Sequence, residues 1–394
     1  MNRPSAAPSI PLSAPEVAGN EWQYVKECLD SGWVSSAGSF VERFELEIAS
    51  YLRIEKAVAT SSGTSALHIA LLVAGVEPED EVLVSTLTFI APVNAIRYAG
   101  AWPVFVDAES EHWQFDSDKA ARYLRRHCRR EGGQTIDATT GRRVSALLAV
   151  DVLGHPCDME AVGDLAREFD LIVVEDATES LGASYRGRPA GTLADIGCLS
   201  FNGNKLITTG GGGALVTDSG DWARRARYLT TQARDDPVEY VHGEIGYNYR
   251  LSNLAAAVGC AQLESIGNHL AAKRRNAAVY TAAVEKIPGI LPMPEADWAK
   301  SAFWLYTILV DPTAYGMDSR GLLRALERDG IETRPLWQPL HLSAPHIHCP
   351  ATTCEVSEEL FRRALSLPSS VGLTEGERAR VIAAIKSHAS RDRG

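Results

Sequence analysis

The chain has 394 residues, 45% hydrophobic and 23% charged, with 32 glycines and 19 prolines, an ordinary globular composition at a length that suits two or three domains of roughly 100–200 residues. Disordered, collagen-like and coiled-coil classes are excluded. Thirty-nine basic against 50 acidic residues leave a formal charge of −11, which argues against a dedicated nucleic-acid or anionic-membrane surface because either would repel it. An anionic small molecule is still acceptable, provided its positive partners are gathered locally.

The first 15 or so residues are rich in proline and serine and read as an arm, followed by a helix from Glu16 to Asp30. From Lys56 short β-branched runs alternate with helical stretches: KAVAT, SSGTSALHIALLVAG, EVLVST, APVNAIRYAG, WPVFVD, RVSALLAVDVL, DMEAVGDLAREF, LIVVEDA, CLSF and ALVT. Such alternation predicts an α/β domain with a mostly parallel sheet covered on both faces. The segment 118–142 interrupts it with a basic helix, RYLRRHCRR, and a hairpin-like insertion punctuated by glycine pairs. Arginines 122, 125, 126, 129 and 130 are read there as a solvated face in preference to an anion site. A long helical stretch from Leu251 to about Ile287 looks like a connector, and beyond it strand, helix, strand, helix, helix predict a smaller α+β domain. The expected division is 1–265 for the arm and large domain and 266–394 for the connector and small domain.

Seven scattered cysteines without a CxxC pair read as reduced thiols of a cytoplasmic protein. MNRPSAAPSIPLSAP lacks the apolar centre of a signal peptide, and no apolar run is long enough to span a bilayer. His346, His348, Cys349 and Cys354 match no common structural zinc spacing, so no metal is expected.

Three pieces carry chemistry. Ser61-Ser62-Gly63-Thr64-Ser65 follows a strand and opens a helix, where free N–H groups and small hydroxyls make an anion cradle, although plain N-capping would also explain it. The Walker lysine and the GxGxxG spacing are both missing. Asp176 stands at the carboxyl end of an apolar strand, where ligands of open α/β sheets sit, or else caps the next turn. Lys205 lies five residues after Ser200 and just before four successive glycines, 210–213. A lysine in a partly dry site can act as a nucleophile or Schiff-base former, while one in a mobile loop does nothing. Together the pieces match what pyridoxal 5'-phosphate asks of a protein: a phosphate anchor, a pyridinium partner and a lysine for its aldehyde. Phe89 could then stack on the ring face, or be a core aromatic.

With these blocks in place the chain resembles the DegT/DnrJ/StrS sugar-nucleotide aminotransferases, of the aspartate aminotransferase fold type. The likeness runs from PLSAPEVAGNEWQYVKECLDSGWVSSAG through SSGTSAL, VVEDATESLGASYRGRPAGTLADIGCLSFNGNK and GYNYRLSNLAAAVGCAQLE to RPLWQPLH and LSLPSS. It implies an aspartate aminotransferase-like fold, a large domain with a mostly parallel central sheet flanked by helices plus a small C-terminal α+β domain. It also implies that Lys205 is the cofactor lysine and Asp176 the pyridinium partner, with Gly63, Thr64, Ser65 and Ser200 at the phosphate and Phe89 on the ring. Glu179 takes a position that is often Gln or His in the family, near the ring oxygen. Asn248 would reach the phosphate of the other subunit's cofactor, which implies a homodimer with sites at the interface. Trp33, Arg250, Trp337 and His341 are candidates for the nucleotide-sugar pocket, although both tryptophans could be core and His341 structural.

Because Lys205 is kept where the family's deoxygenating branch has histidine, the resemblance implies transamination from glutamate, with pyridoxamine 5'-phosphate as the intermediate form. The wording is most similar to the branch that aminates UDP-4-keto-6-deoxy-N-acetylhexosamines for surface glycans. A 3-keto sugar, a GDP- or dTDP-linked hexose, and a non-catalytic cofactor- or sugar-binding regulator are the alternatives.

Overall fold

A computed structural model describes residues 9–236 and 238–389. Residues 1–8 of the expected arm, Pro237 and 390–394 lie outside the described residues. In chain order, α1 (Glu21–Ser31) and α2 (Ser39–Leu52) lead into β1 (Lys56–Thr60), α3 (Gly63–Val73), β2 (Glu81–Ser85), α4 (Ile90–Tyr98) and β3 (Trp102–Val106). There follow α5 (Ser117–His127), β4 (Cys128–Glu131), β5 (Gln134–Asp137), β6 (Arg143–Val150), α6 (Met159–Phe169) and β7 (Ile172–Asp176). The small strands β8 (Ser184–Tyr185) and β9 (Arg188–Pro189) precede β10 (Ile196–Ser200), β11 (Gly213–Thr217) and α7 (Gly220–Thr230). The remainder comprises α8 (Asn253–Glu264), α9 (Ile266–Val284), β12 (Ile290–Leu291), β13 (Ala299–Lys300), β14 (Thr307–Val310), α10 (Pro312–Tyr315) and α11 (Ser319–Arg328). The last elements are β15 (Arg334–Pro335), α12 (Glu355–Arg363), β16 (Ala364–Ser366) and α13 (Glu375–His388).

The central sheet has nine strands, seven of them in the order β1-β11-β10-β7-β6-β2-β3. Pairing is parallel from β10 through β3 and antiparallel where β11 meets β1 and β10. The predicted mostly parallel sheet, flanked by helices, is thus what forms. Successive side chains of one strand face opposite layers: Val174 joins the core against α3 and α4, while Val173 joins the one against α5 and α6. Burial on both faces explains why these strands read as continuous apolar runs. A second sheet, β12-β14-β16-β15, lies toward the C-terminus, and its apolar residues share one continuous core with the α3–α4 face of the large sheet.

Several boundaries differ from the sequence reading. Helix α1 starts at Glu21 because Gln262 holds the Glu16 carbonyl at 2.7 Å, and the Glu21 carboxylate accepts from Gly19 N at 2.8 Å. The basic run is half helix and half strand, since Cys128–Glu131 pairs antiparallel with β5, and Gly132 and Gly133 turn with positive φ. The connector is two helices broken at Ser265, whose N–H turns back to the Gln262 carbonyl. Ala364–Ser366 does not extend α12 but forms the strand between β14 and β15.

Direction places the chemistry. Strands β1, β10, β7, β6 and β2 all end on one edge, so Thr60, Ser200, Asp176, Val150 and Ser85 gather there. Gly213 pairs with both Thr60 and Ser200, and a Cβ on it would lie 2.5 Å from the Ser62 carbonyl carbon and oxygen. Gly213→Ala should therefore lower stability by ~1–3 kcal/mol, as overpacking does, whereas Gly203→Ala, with nothing within 4 Å, should leave the denaturant midpoint almost unchanged. Equal midpoints for the two variants would show that the close approach is not constraining.

Candidate active site

At that edge lies a cavity of about 340 Å³ lined by residues of both parts of the chain, among them Ser62, Gly63, Thr64, Phe89, Asp176, Glu179, Ser200, Lys205, Trp304 and Trp337. Helix α3 points its N-terminus into it. Ser62 caps the helix by accepting from Ser65 N at 3.0 Å, which leaves the Gly63 and Thr64 amides without an acceptor inside the helix. Gly63 is required here, because a Cβ would approach Ser200 Cβ to 2.8 Å. Capping and cradle, posed as alternatives by the sequence, coexist: the side chain of Ser62 caps while the backbone ahead of it faces the cavity.

Strand β7 delivers Asp176, 2% exposed, whose Oδ1 accepts from Thr178 N at 3.0 Å. Burial raises its pKa, opposed by Thr178 and by Lys205. Lys205 Nζ sits 3.5 Å from Glu179 Oε1 and 4.0 Å from the centroid of the Trp304 ring. Glu179 is pushed up to about 7, first by burial, with Lys205 and the Leu153 N–H (2.8 Å) pulling the other way. The Lys205 ammonium therefore faces a carboxyl that changes charge in the neutral range. Phe89, at the start of α4, meets Trp337 edge-on at 6.5 Å, and Trp337 lies nearly parallel to Trp304.

The other predicted residues are not brought to this cavity. Ser65 turns its hydroxyl to Ser61 and Ser62 (3.1 and 2.8 Å). Trp33 is 58% exposed and gives only its carbonyl, to Asn253. Asn248 bridges Thr231 through its backbone, and His341 pairs with Thr86 Oγ1 at 2.8 Å and approaches Glu358 at 3.4 Å. Arg250, a candidate for the nucleotide-sugar pocket, is bonded to the buried Glu45, which also takes Arg227 at 2.8 Å. A buried carboxylate needs a cation more than a solvated phosphate does. Conversely, Trp304, Asn204 and Thr88 line the cavity unforeseen. Asn204 lay within the lysine motif, but Trp304 reads only as a strand residue and no spacing ties it to Lys205.

A lysine, a buried aspartate and an open helix N-terminus on one cavity fit pyridoxal 5'-phosphate, whose aldehyde, ring nitrogen and phosphate need those three groups. The class is that of pyridoxal-phosphate enzymes with the aspartate aminotransferase fold. The DegT/DnrJ/EryC1/StrS aminotransferase family model matches residues 15–386, and the chain belongs to this family of pyridoxal phosphate-dependent sugar aminotransferases. The GDP-perosamine synthase of Caulobacter vibrioides is 37% identical, with 97% of this chain and 98% of that protein covered. The GDP-perosamine synthase of Escherichia coli O157:H7 is also 37% identical, with coverages of 93% and 94%. The solved structure of S. venezuelae DesV in complex with a ketimine intermediate superposes with a TM-score of 0.84 at 31% identity, covering 94% of this chain and 95% of that one. The chain is accordingly an enzyme of this family.

The raised Glu179 makes a prediction free of turnover. Its folded pKa exceeds the unfolded value of 4.5, so the native state holds the proton more tightly, and this group costs stability as pH rises from about 4.5 to about 7. Glu179→Gln removes that cost. Melting of variant and wild type across pH 4.5–8 should diverge in the variant's favour up to about pH 7 and run parallel above it. Divergence in the opposite sense would mean that pairing with Lys205 outweighs burial.

Proposed function

We propose that the enzyme moves the amino group of glutamate to the 4-keto carbon of a GDP-linked 4-keto-6-deoxy sugar, as a cytoplasmic homodimer in surface glycan synthesis. The reading is carried by Lys205 facing Asp176 and Glu179 beneath the N-terminus of α3. The GDP-linked substrate is supported by two relatives named GDP-perosamine synthase that match almost end to end. They support the GDP-linked alternative better than the UDP-N-acetylhexosamine expectation. Among the described residues no helix is long and apolar enough to cross a membrane.

Gly63, Thr64 and Ser200 would hold the phosphate, with Ser65 supporting them through Ser62. Asp176 would keep the ring nitrogen protonated, and Phe89 would cover the ring. When bound, the cofactor supplies an electron sink for the carbanion left by loss of a proton. Lys205 Nζ takes the proton from Cα of glutamate and later returns one to C4 of the sugar. Glu179 stabilises the ammonium between these transfers, and the Trp304 ring shields Nζ from water.

The dimer rests on two observations. Among the described residues Lys205 is the only basic one lining the cavity, which leaves a sugar diphosphate short of cations within one chain. Val238, Tyr240, Val241 and Ile245, just ahead of Asn248, expose more apolar surface than a solvated loop needs. We assign 1–265 to cofactor binding and 266–394 to closing the cavity through Trp304 and Trp337, a division supported by the break at Ser265.

Glutamate offered with GDP-, UDP- and dTDP-linked 4-keto sugars should give product, by mass and NMR, aminated at C4 of the GDP-linked sugar, with kcat/KM higher by at least about tenfold. Amination only at C3, or only of a UDP-linked sugar, would sink this assignment. Borohydride should fix a pyridoxyl group on Lys205, and Lys205→Ala should lose activity by on the order of 10³-fold.

A further inference from the structure

Lys273, in the middle of α9, takes part in none of these steps, yet it is only 2% exposed. Its Nζ donates to the Trp304 carbonyl at 2.8 Å, and among the described residues no carboxylate pairs with it. A buried lysine without a counter-ion is a liability that an apolar residue of similar volume would remove. Its neighbours on α9 are engaged elsewhere, Arg274 with Glu295 and His269 with the Leu206 carbonyl. The charged group that acts on it is Lys205, which in turn faces Glu179.

The bond from Lys273 anchors one member of a closed circuit. Trp304 N donates to the Leu153 carbonyl at 3.0 Å, and Leu153 N donates to Glu179 Oε2 at 2.8 Å. Glu179 Oε1 faces Lys205 Nζ, which lies over the Trp304 ring. The indole Nε1 donates at 2.7 Å to the carbonyl of Asn204, the residue before Lys205. Leu153 holds this position with φ of 60°, a left-handed conformation that costs a branched residue energy and persists only where its surroundings impose it.

We propose that Lys273 is a positioning residue for the reacting lysine: it anchors the Trp304 carbonyl and, through Trp304 and Leu153, sets the indole and the Glu179 carboxyl around the Lys205 amine. The inference rests on the functional reading of Lys205. Burial, and then the like charge of Lys205, push Lys273 down to about 7. The uncharged amine still donates an N–H, so a neutral donor of similar length can replace it.

The test uses the full-length chain loaded with pyridoxal phosphate, with Lys273→Met, which removes the donor, and Lys273→Gln, which keeps one. Lys273→Met should change the visible circular dichroism of the bound cofactor and lower kcat by roughly 10–10²-fold, as misplacement of reacting groups does, with KM for glutamate nearly unchanged. Lys273→Gln should restore the dichroic band and most of kcat. The proposal is overturned if Lys273→Met keeps the wild-type band and kcat, or if Lys273→Gln melts like wild type yet is as impaired as Lys273→Met. Should Lys273→Met not fold, Trp304→Phe cuts the circuit at the indole and should alter the same band; an unaltered band overturns the proposal. Absence of a borohydride-fixed group on wild-type Lys205 would instead refute the functional reading, so the two failures are distinguishable.

Discussion

Everything at the cavity depends on how closely the start of α3 lies against the ends of β10 and β11. Gly63 stands where a Cβ would strike Ser200, and Gly213 where a Cβ would strike the backbone of Ser62. Only hydrogens occupy those two gaps. The helix N-terminus can then be pressed against the sheet edge with its first amides still open, and the parallel strands bring Asp176 and Ser200 to the same edge. A Cβ at either glycine would push the cradle away from the groups it must work with.

Net charge acts on a different scale from the site. The −11 of the chain is spread over a solvated surface, where salt screens it beyond roughly 10 Å. Inside the cavity Asp176 and Glu179 are largely dry, so burial raises both carboxyls while the nearby Lys205 opposes it. Arg250 marks the boundary between the two regimes. It has the right charge for a phosphate, yet the fold spends that charge on Glu45. The cation shortage of the cavity is thus a consequence of packing and not of composition.

The second part of the chain is more than a cover. Trp304 reaches Lys205 from a hundred residues beyond Asn204, and its backbone is clamped by Leu153 on one side and Lys273 on the other. Helix α9 is therefore tied through Lys273 to the backbone of a residue that lines the cavity.

The alternating pattern and the blocks around Gly63, Asp176 and Lys205 determined by themselves the sheet, the strand ends and the cofactor class. Each is a local signal: an apolar strand period, a helix start, a polar residue where an apolar run stops. What adjoined these blocks was less legible. The basic run became half strand because β5 offered it a ladder, and Ala364–Ser366 became strand because β14 and β15 flank it. Only the tertiary structure decided that Arg250 is neutralised, that Trp304 roofs the lysine and that Lys273 holds Trp304. Those contacts join residues distant in sequence, and their energies come from burial and from hydrogen bonds made across the fold, which no local pattern encodes.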